Sequence, residues 1–195
     1  MKERFKALLL ATGRMGMERV LGELETLGFF EAPASTVFHL SRPGGLLEHS
    51  LNVYEMASML RGQLVARRPS LEARLPMDSV AIAALLHDVC KAEVYKKAVK
   101  RRRRPDGQWE AYEGYEVDYR DLPLGHGEKS VIRLLRWGLD LTDDEMLAIR
   151  WHMAPWDLAF QSAEMKGNVN TARGMCPLCG IVQCADLLAT QMLED

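Results

Sequence analysis

The sequence predicts a mostly helical domain with an inserted β-hairpin around residues 94–119. Three observations lead there. Apolar residues recur at helical spacing in segments on both sides of the insertion. Asp106-Gly107 sits between two stretches of alternating character, a strong hairpin signal. Thr142-Asp143-Asp144-Glu145 has the pattern of a capping box, in which a threonine and the acid three residues on satisfy each other's backbone donors. With 195 residues the chain is long enough for one cored domain and short for two, so 1–195 is expected to be a single domain.

The elements follow in order. Residues 1–30 read as one or two helices, with Phe5, Leu8 and Leu9, then Val20, Leu21, Leu24 and Leu27, interrupted at Gly13 and Gly16. Pro33, Pro43, Gly44 and Gly45 mark a loop over 31–45. A helix is expected from Gly45 to about residue 66, carrying Leu47, Leu51, Tyr54 and Ala57. Pro69 and Pro76 bound a second break, and Asp78 is expected to cap the next helix. Residues 80–86 are apolar on every face, so that helix should be central. It finishes in His87-Asp88, an unusual end for a buried helix unless something binds the two side chains.

In the insertion, pairing about Asp106-Gly107 sets Lys97 opposite Glu116, Lys100 opposite Glu113 and Arg103 opposite Glu110. Trp109, Ala111, Tyr115, Val117 and Tyr119 share one face of the second strand. Helices then resume near Gly127 or Glu128, after Thr142 and near Pro177, with 167–174 read as a loop.

Composition excludes several classes. A 48% hydrophobic and 27% charged content is that of an ordinary globular protein. The net charge of -2 gives no overall field toward nucleic acid or an anionic membrane. No apolar run approaches the roughly 18 residues of a membrane span, and the apolar stretch 7–11 is too short for a signal-peptide core. A cytoplasmic protein is expected, with no membrane partner. Cys90, Cys176, Cys179 and Cys184 then read as free thiols, with Cys179 and Cys184 partly buried near a helix start. Cys176-Pro-Leu-Cys179 has zinc-knuckle spacing but lacks a convincing second pair of ligands. Residues 96–104 hold seven basic residues in nine, a nucleic-acid signature that the facing acidic strand weakens. Tyr112, Tyr115 and Tyr119 serve packing, or base stacking if that signature holds.

The chemistry-bearing residues form an ordered series. Gly44-Gly45-Leu46-Leu47-Glu48-His49 comes first, then Leu85-Leu86-His87-Asp88-Val89-Cys90-Lys91. Leu124-Gly125-His126-Gly127-Glu128-Lys129-Ser130, Arg150-Trp151-His152 and Ala185-Asp186 follow. An adjacent imidazole and carboxylate at a helix end can reach one cation, although a histidine there can also simply complement the helix dipole. His39 lies in the loop before the glycine pair, facing either a site or solvent.

Over residues 30–192 the series resembles the HD-domain metal-dependent phosphohydrolase superfamily. It looks closest to a small bacterial and phage branch, similar to the HD module of certain 3′-5′ exoribonucleases. The resemblance implies an HD-domain helical bundle, with His49, His87, Asp88 and Asp186 holding a first divalent metal. His126 and His152 would add a second, bridged by Asp88, giving one or two ions per chain. Met153 stands where many two-metal relatives carry another histidine. Manganese, iron, nickel, cobalt and magnesium all remain open as the native ion.

The implied activity is a metal-dependent phosphohydrolase or phosphodiesterase, with a nucleotide or a nucleic-acid end as substrate. Asp88 and Lys91 would be catalytic, Lys91 lying four residues after His87 on one helical face. Lys91, Lys129 and Arg150 would meet the phosphate, and Glu128 would orient a water or a ligand histidine, or complement a helix dipole. The rival readings are a non-catalytic metal- or nucleotide-binding regulator, an oxygen-using di-iron enzyme on the same scaffold, and a nucleic-acid-binding hairpin protein.

Overall fold

Helix α4 (Met77–Leu86) is the axis of the structure, because no side of it can face water. Every residue from Ser79 to Leu86 is buried, and Val80, Ile82, Leu85 and Leu86 are fully so. Each such large side chain contributes about 1.5–3 kcal/mol of burial free energy. The computed structural model describes residues 1–118, 120–153 and 163–194.

Around α4 pack α1 (Lys2–Leu10), α3 (Gly45–Arg67), α7 (Asp143–Trp151) and α9 (Pro177–Met192). Helix α9 lies against α3 and α7 and also touches α4. Helix α2 (Met17–Leu27) shows the amphipathic stripe expected of a surface helix, burying Met17, Val20, Leu21 and Leu24. Phe5, Phe29 and Phe30 meet in tilted and edge-on contacts, with ring centroids 5.2–5.7 Å apart, and tie α1 to the turn after α2.

Helix α6 (His126–Arg136) packs on α7, whose N-terminus carries the complete capping box. The Thr142 hydroxyl accepts from the Glu145 N–H, and the Glu145 carboxylate accepts from the Thr142 N–H. Glu145 also takes both guanidinium nitrogens of Arg14, at 2.7 and 2.8 Å. Its side chain is fully buried, so the link between the α1–α2 connection and α7 reaches into the core.

After α4, the short helix α5 (Lys91–Val94) leads into β1 (Tyr95–Arg103), which pairs antiparallel with β2 (Trp109–Val117). The expected pairing is out by one residue. Glu116 faces Lys96, Glu113 faces Val99 and Glu110 faces Arg102. The connection is a three-residue loop, Pro105-Asp106-Gly107, closed by the Arg104 and Gln108 backbones at 2.8 Å. Gly107 has φ 86°, the left-handed conformation that such a loop requires. The expected face of β2 is also uneven: Tyr115 is buried, while Trp109, Ala111 and Val117 are exposed. Tyr119 lies outside the described residues.

Three further expectations are corrected. Residues 167–174 are not a loop but part of α8 (Ala163–Met175). Val169 and Ala172, three apart, are buried there. Packing of α8 against α9 outweighs the roughly 1 kcal/mol that each of Gly167 and Gly174 costs a helix. Asp78 is not the N-cap of α4, which is Pro76. It lies in the first turn and pairs with Arg14 at 3.2 Å. Cys184 is exposed rather than partly buried, while Cys90, Cys176 and Cys179 are buried.

Burial also pushes the Cys90 thiol up to about 12. A neutral aromatic disulfide reagent is therefore expected to titrate about one thiol per native chain, that of Cys184, and the others only after unfolding. A fast phase that survives in Cys184→Ser would contradict this. Among the described residues, no single helix is long and apolar enough to cross a membrane.

Candidate metal centre

Six of the residues singled out in the sequence converge, each delivered by a different local device. His49 projects from the first turns of α3 and is fully buried. His87 is the C-cap of α4 and His152 the C-cap of α7. Asp88 follows in the turn after α4, and Asp186 lies midway along α9. His126 opens α6, which approaches α7 closely because Gly127 has no Cβ. A Cβ there would lie 2.5 Å from the Arg150 carbonyl oxygen.

Asp88 is the centre of the arrangement. Its Oδ2 lies 3.1 Å from His87 Nε2 and 3.6 Å from His49 Nε2. Its Oδ1 lies 3.4 Å from His152 Nε2 and 3.7 Å from His126 Nε2. Asp186 Oδ1 is 3.4 Å from His49 Nε2. Donor atoms of His49, His87 and Asp88, of His87, His152 and Asp186, and of Asp88, His126 and His152 each lie within 4.8 Å of one another.

The outer ring nitrogens fix the imidazoles. His87 Nδ1 donates to the Ala84 carbonyl at 2.9 Å, and His152 Nδ1 to the Ile149 carbonyl at 2.7 Å. Nε2 is thereby the atom that each ring turns into the cluster. His49 Nδ1 faces the Glu194 carboxylate at 3.0 Å, and its Nε2 faces His87 Nε2 at 3.2 Å.

These residues fit a divalent cation. Asp88 Oδ1, His126 Nε2 and His152 Nε2 are buried and lack a hydrogen-bond partner among the described residues, although they face one another. Orphaned buried atoms of this kind are rare and costly unless a ligand meets them. A mixed imidazole and carboxylate set suits manganese, iron, cobalt or nickel, and magnesium less well.

The electrostatics are those of opposite charges that hold one another ionised despite burial. Burial opposes ionisation of Asp88, but Lys91 and His87 hold its carboxyl well below the usual range. Burial likewise opposes a charged His49, yet hydrogen bonds to Asp88 and Glu194 raise it to about 9. Burial drives His126 down to about 3, so it stays a neutral imidazole.

The sequence-predicted phosphate groups separate in space. Lys91 lines the cavity above the cluster, and its ammonium rests on Asp88 Oδ2 at 2.6 Å. Its carrier is a new short helix rather than a continuation of α4, so it reaches Asp88 and not the His87 face. Lys129 and Arg150 do not line that cavity. Lys129 is buried against the Glu93 carboxylate and the Asp121 carbonyl. Arg150 pairs with Glu128 at 2.8 Å and stacks on Trp151. The structure thus sets Lys129 and Arg150 beside Glu93 and Glu128 rather than in the cavity wall, and Glu128 meets an arginine rather than a histidine.

Sequence reasoning missed Glu194. Its carboxylate accepts from Asn52 at 3.0 Å as well as facing His49, and it lies 3.9 Å from His39 Nε2. An acid after an amphipathic helix carries no signal that separates it from a solvated one. His39 does line the cavity.

The family model described as HD domain matches residues 46–191, most of the chain and all six converging residues. The chain belongs to the HD-domain family. This HD-domain chain is also similar to the dihydroneopterin 2′,3′-cyclic phosphate phosphodiesterase of Methanocaldococcus jannaschii, with 30% identity over 94 residues. That alignment covers 48% of this chain and 34% of the relative, so the chain spans well under two thirds of the relative's length. No solved structure matches it significantly.

Within the HD domain, Glu194 offers a test of how His49 is held. Glu194→Gln is expected to weaken metal affinity by about 10–100-fold, the usual effect of losing a carboxylate behind a ligand histidine. A metal titration with a competing chelator reads this directly, and an unchanged affinity would remove Glu194 from the centre.

Proposed function

We propose that this HD-domain chain is a divalent-metal-dependent phosphodiesterase whose metal is held by His49, His87, Asp88 and Asp186. His126 and His152 would hold a second ion, and the substrate would be a small phosphate ester of nucleotide type. The observation that carries the proposal is Asp88, one carboxylate whose two oxygens face two separate groups of imidazole nitrogens. The M. jannaschii relative is a phosphodiesterase of a small cyclic phosphate, which supports diester cleavage as the reaction class.

When bound, the metal supplies charge that neutralises phosphoryl oxygens and acidifies water toward a pKa of about 7. The chain's own residues do the rest. Backbone carbonyls hold the Nδ1 protons of His87 and His152, so that Nε2 is the atom each ring would offer to the metal. Lys91 has three donors, of which Asp88 takes one, and from the cavity wall it can offer another to a phosphate oxygen. The cavity, of about 350 Å³, is large enough for a nucleotide-sized group.

The test measures metal per chain by elemental mass spectrometry, then release of product from 2′,3′-cyclic nucleotides and from bis(p-nitrophenyl) phosphate. About one or two equivalents of metal are expected, with turnover lost on chelation and restored by reloading. Turnover that persists in fully chelated protein would refute the proposal.

A further inference from the structure

The cavity above the cluster has two chemically different zones. Its buried floor carries Lys91 and His152, with His126 and Asp186 beside them, and its exposed lining carries Phe38 and Leu187. Phe38 is 81% exposed. A ring held that far into water forgoes the burial it would gain in a core, and at a cavity rim it is a ready contact surface.

The backbone holds this rim in place. Leu40 has φ 47°, a left-handed conformation that is unfavourable for leucine. Its side chain is buried, and its carbonyl accepts from both Ala34 and Arg42. From the other side, Lys100 of β1 donates to the Thr36 carbonyl at 3.3 Å. The segment 34–39 is thus pinned between the core and the hairpin, and Phe38 projects from it.

Ser35 provides an independent observation. It lines the same cavity, is only 6% exposed, and its hydroxyl has no hydrogen-bond partner among the described residues. A buried hydroxyl left without a partner is costly unless a ligand completes it.

We infer that Ser35 and Phe38 form a ring subsite that selects phosphate esters of a planar nitrogen heterocycle, a nucleobase or a pterin. Phe38 stacks on the ring, the Ser35 hydroxyl bonds to its polar edge, and the phosphate lies on the floor beside Lys91. This rests on the phosphodiesterase reading and adds the part of the substrate that does not react. Stacking tolerates any flat π-face, so it distinguishes ring from no ring before it distinguishes one ring from another. An ester without a ring meets the floor alone.

Equilibrium dialysis of the metal-loaded protein with slowly hydrolysed phosphorothioate esters of adenosine, dihydroneopterin and glycerol tests this. At least one ring ester is expected to bind about tenfold or more tightly than the glycerol ester. Phe38→Ala should reduce that preference to within about threefold, with metal content unchanged, since the side chain is mostly in solvent. Ser35→Ala should lower it as well. A preference for adenosine alone assigns a nucleobase, and one for dihydroneopterin alone assigns a pterin. Equal binding of all three esters, or a preference that survives in Phe38→Ala, overturns the subsite. A ring preference without turnover of the corresponding diesters keeps the subsite and sinks the hydrolase, while turnover without the preference does the reverse.

Discussion

Replacing Asp88 with asparagine is expected to strip the cluster of metal and bring phosphodiester hydrolysis down to the background rate. The substitution keeps the shape and removes the charge. Asparagine can offer one weak acceptor, whereas Asp88 presents one anionic oxygen to His87 and His49 and another to His152 and His126. Both groups of histidines therefore lose their shared ligand together. Lys91 loses its carboxylate partner in the same step, so the thermal midpoint and circular dichroism should be read beside the metal content. Asp186→Asn provides a second route to the answer, because Asp186 touches His49 but makes no ion pair with Lys91. It should weaken metal binding without stranding the lysine. Asp88→Asn protein that retains full metal and full turnover would refute the site.

The largest effect on stability is expected from Glu145→Ala. The Glu145 side chain is fully buried and takes two hydrogen bonds from Arg14 and one from the Thr142 backbone. Its loss takes two charge-assisted hydrogen bonds from a guanidinium that is only 12% exposed, leaving it Asp78 and the Asp140 carbonyl, and it dismantles the capping box of α7. Losing the hydrogen bonds to a mostly buried charge and a helix cap together costs about 2–4 kcal/mol. For a chain of this length that is a fall in Tm of roughly 4–16 °C. Because part of the cost lies in the under-satisfied guanidinium, Arg14→Met with Glu145→Met should recover part of it. A Tm within about 2 °C of wild type for Glu145→Ala would show that the buried pair is dispensable.

How much of this could be read from the sequence follows a physical pattern. The apolar α4 and its polar end His87-Asp88 stood out because burial and polarity conflict there, and that conflict is visible in one dimension. The capping box of Thr142 and Glu145 is local, so it too could be read. Arg14 as the partner of Glu145 could not, since 131 residues separate them. The hairpin existed in the pattern, but its register depended on whether the loop holds two residues or three. A single residue of difference moved Glu110 from Arg103 to Arg102. Lys129 and Arg150 looked like phosphate ligands because a cation beside a metal motif has the same sequence appearance whether it faces the cavity or Glu93 and Glu128. Glu194 was invisible for the converse reason, as its role depends entirely on where α9 comes to rest against α3.

The way the histidines are mounted also sorts charge without any side chain. His87 and His152 cap the C-termini of α4 and α7, whereas His126 is the first residue of α6. A helix carries about half a negative charge at its C-terminus and about half a positive charge at its N-terminus. Two negative ends therefore converge where the cation belongs, and one positive end opens beside His126. The main chain alone therefore sets partial charges of both signs at the cluster, negative at His87 and His152 and positive at His126, before any side chain contributes.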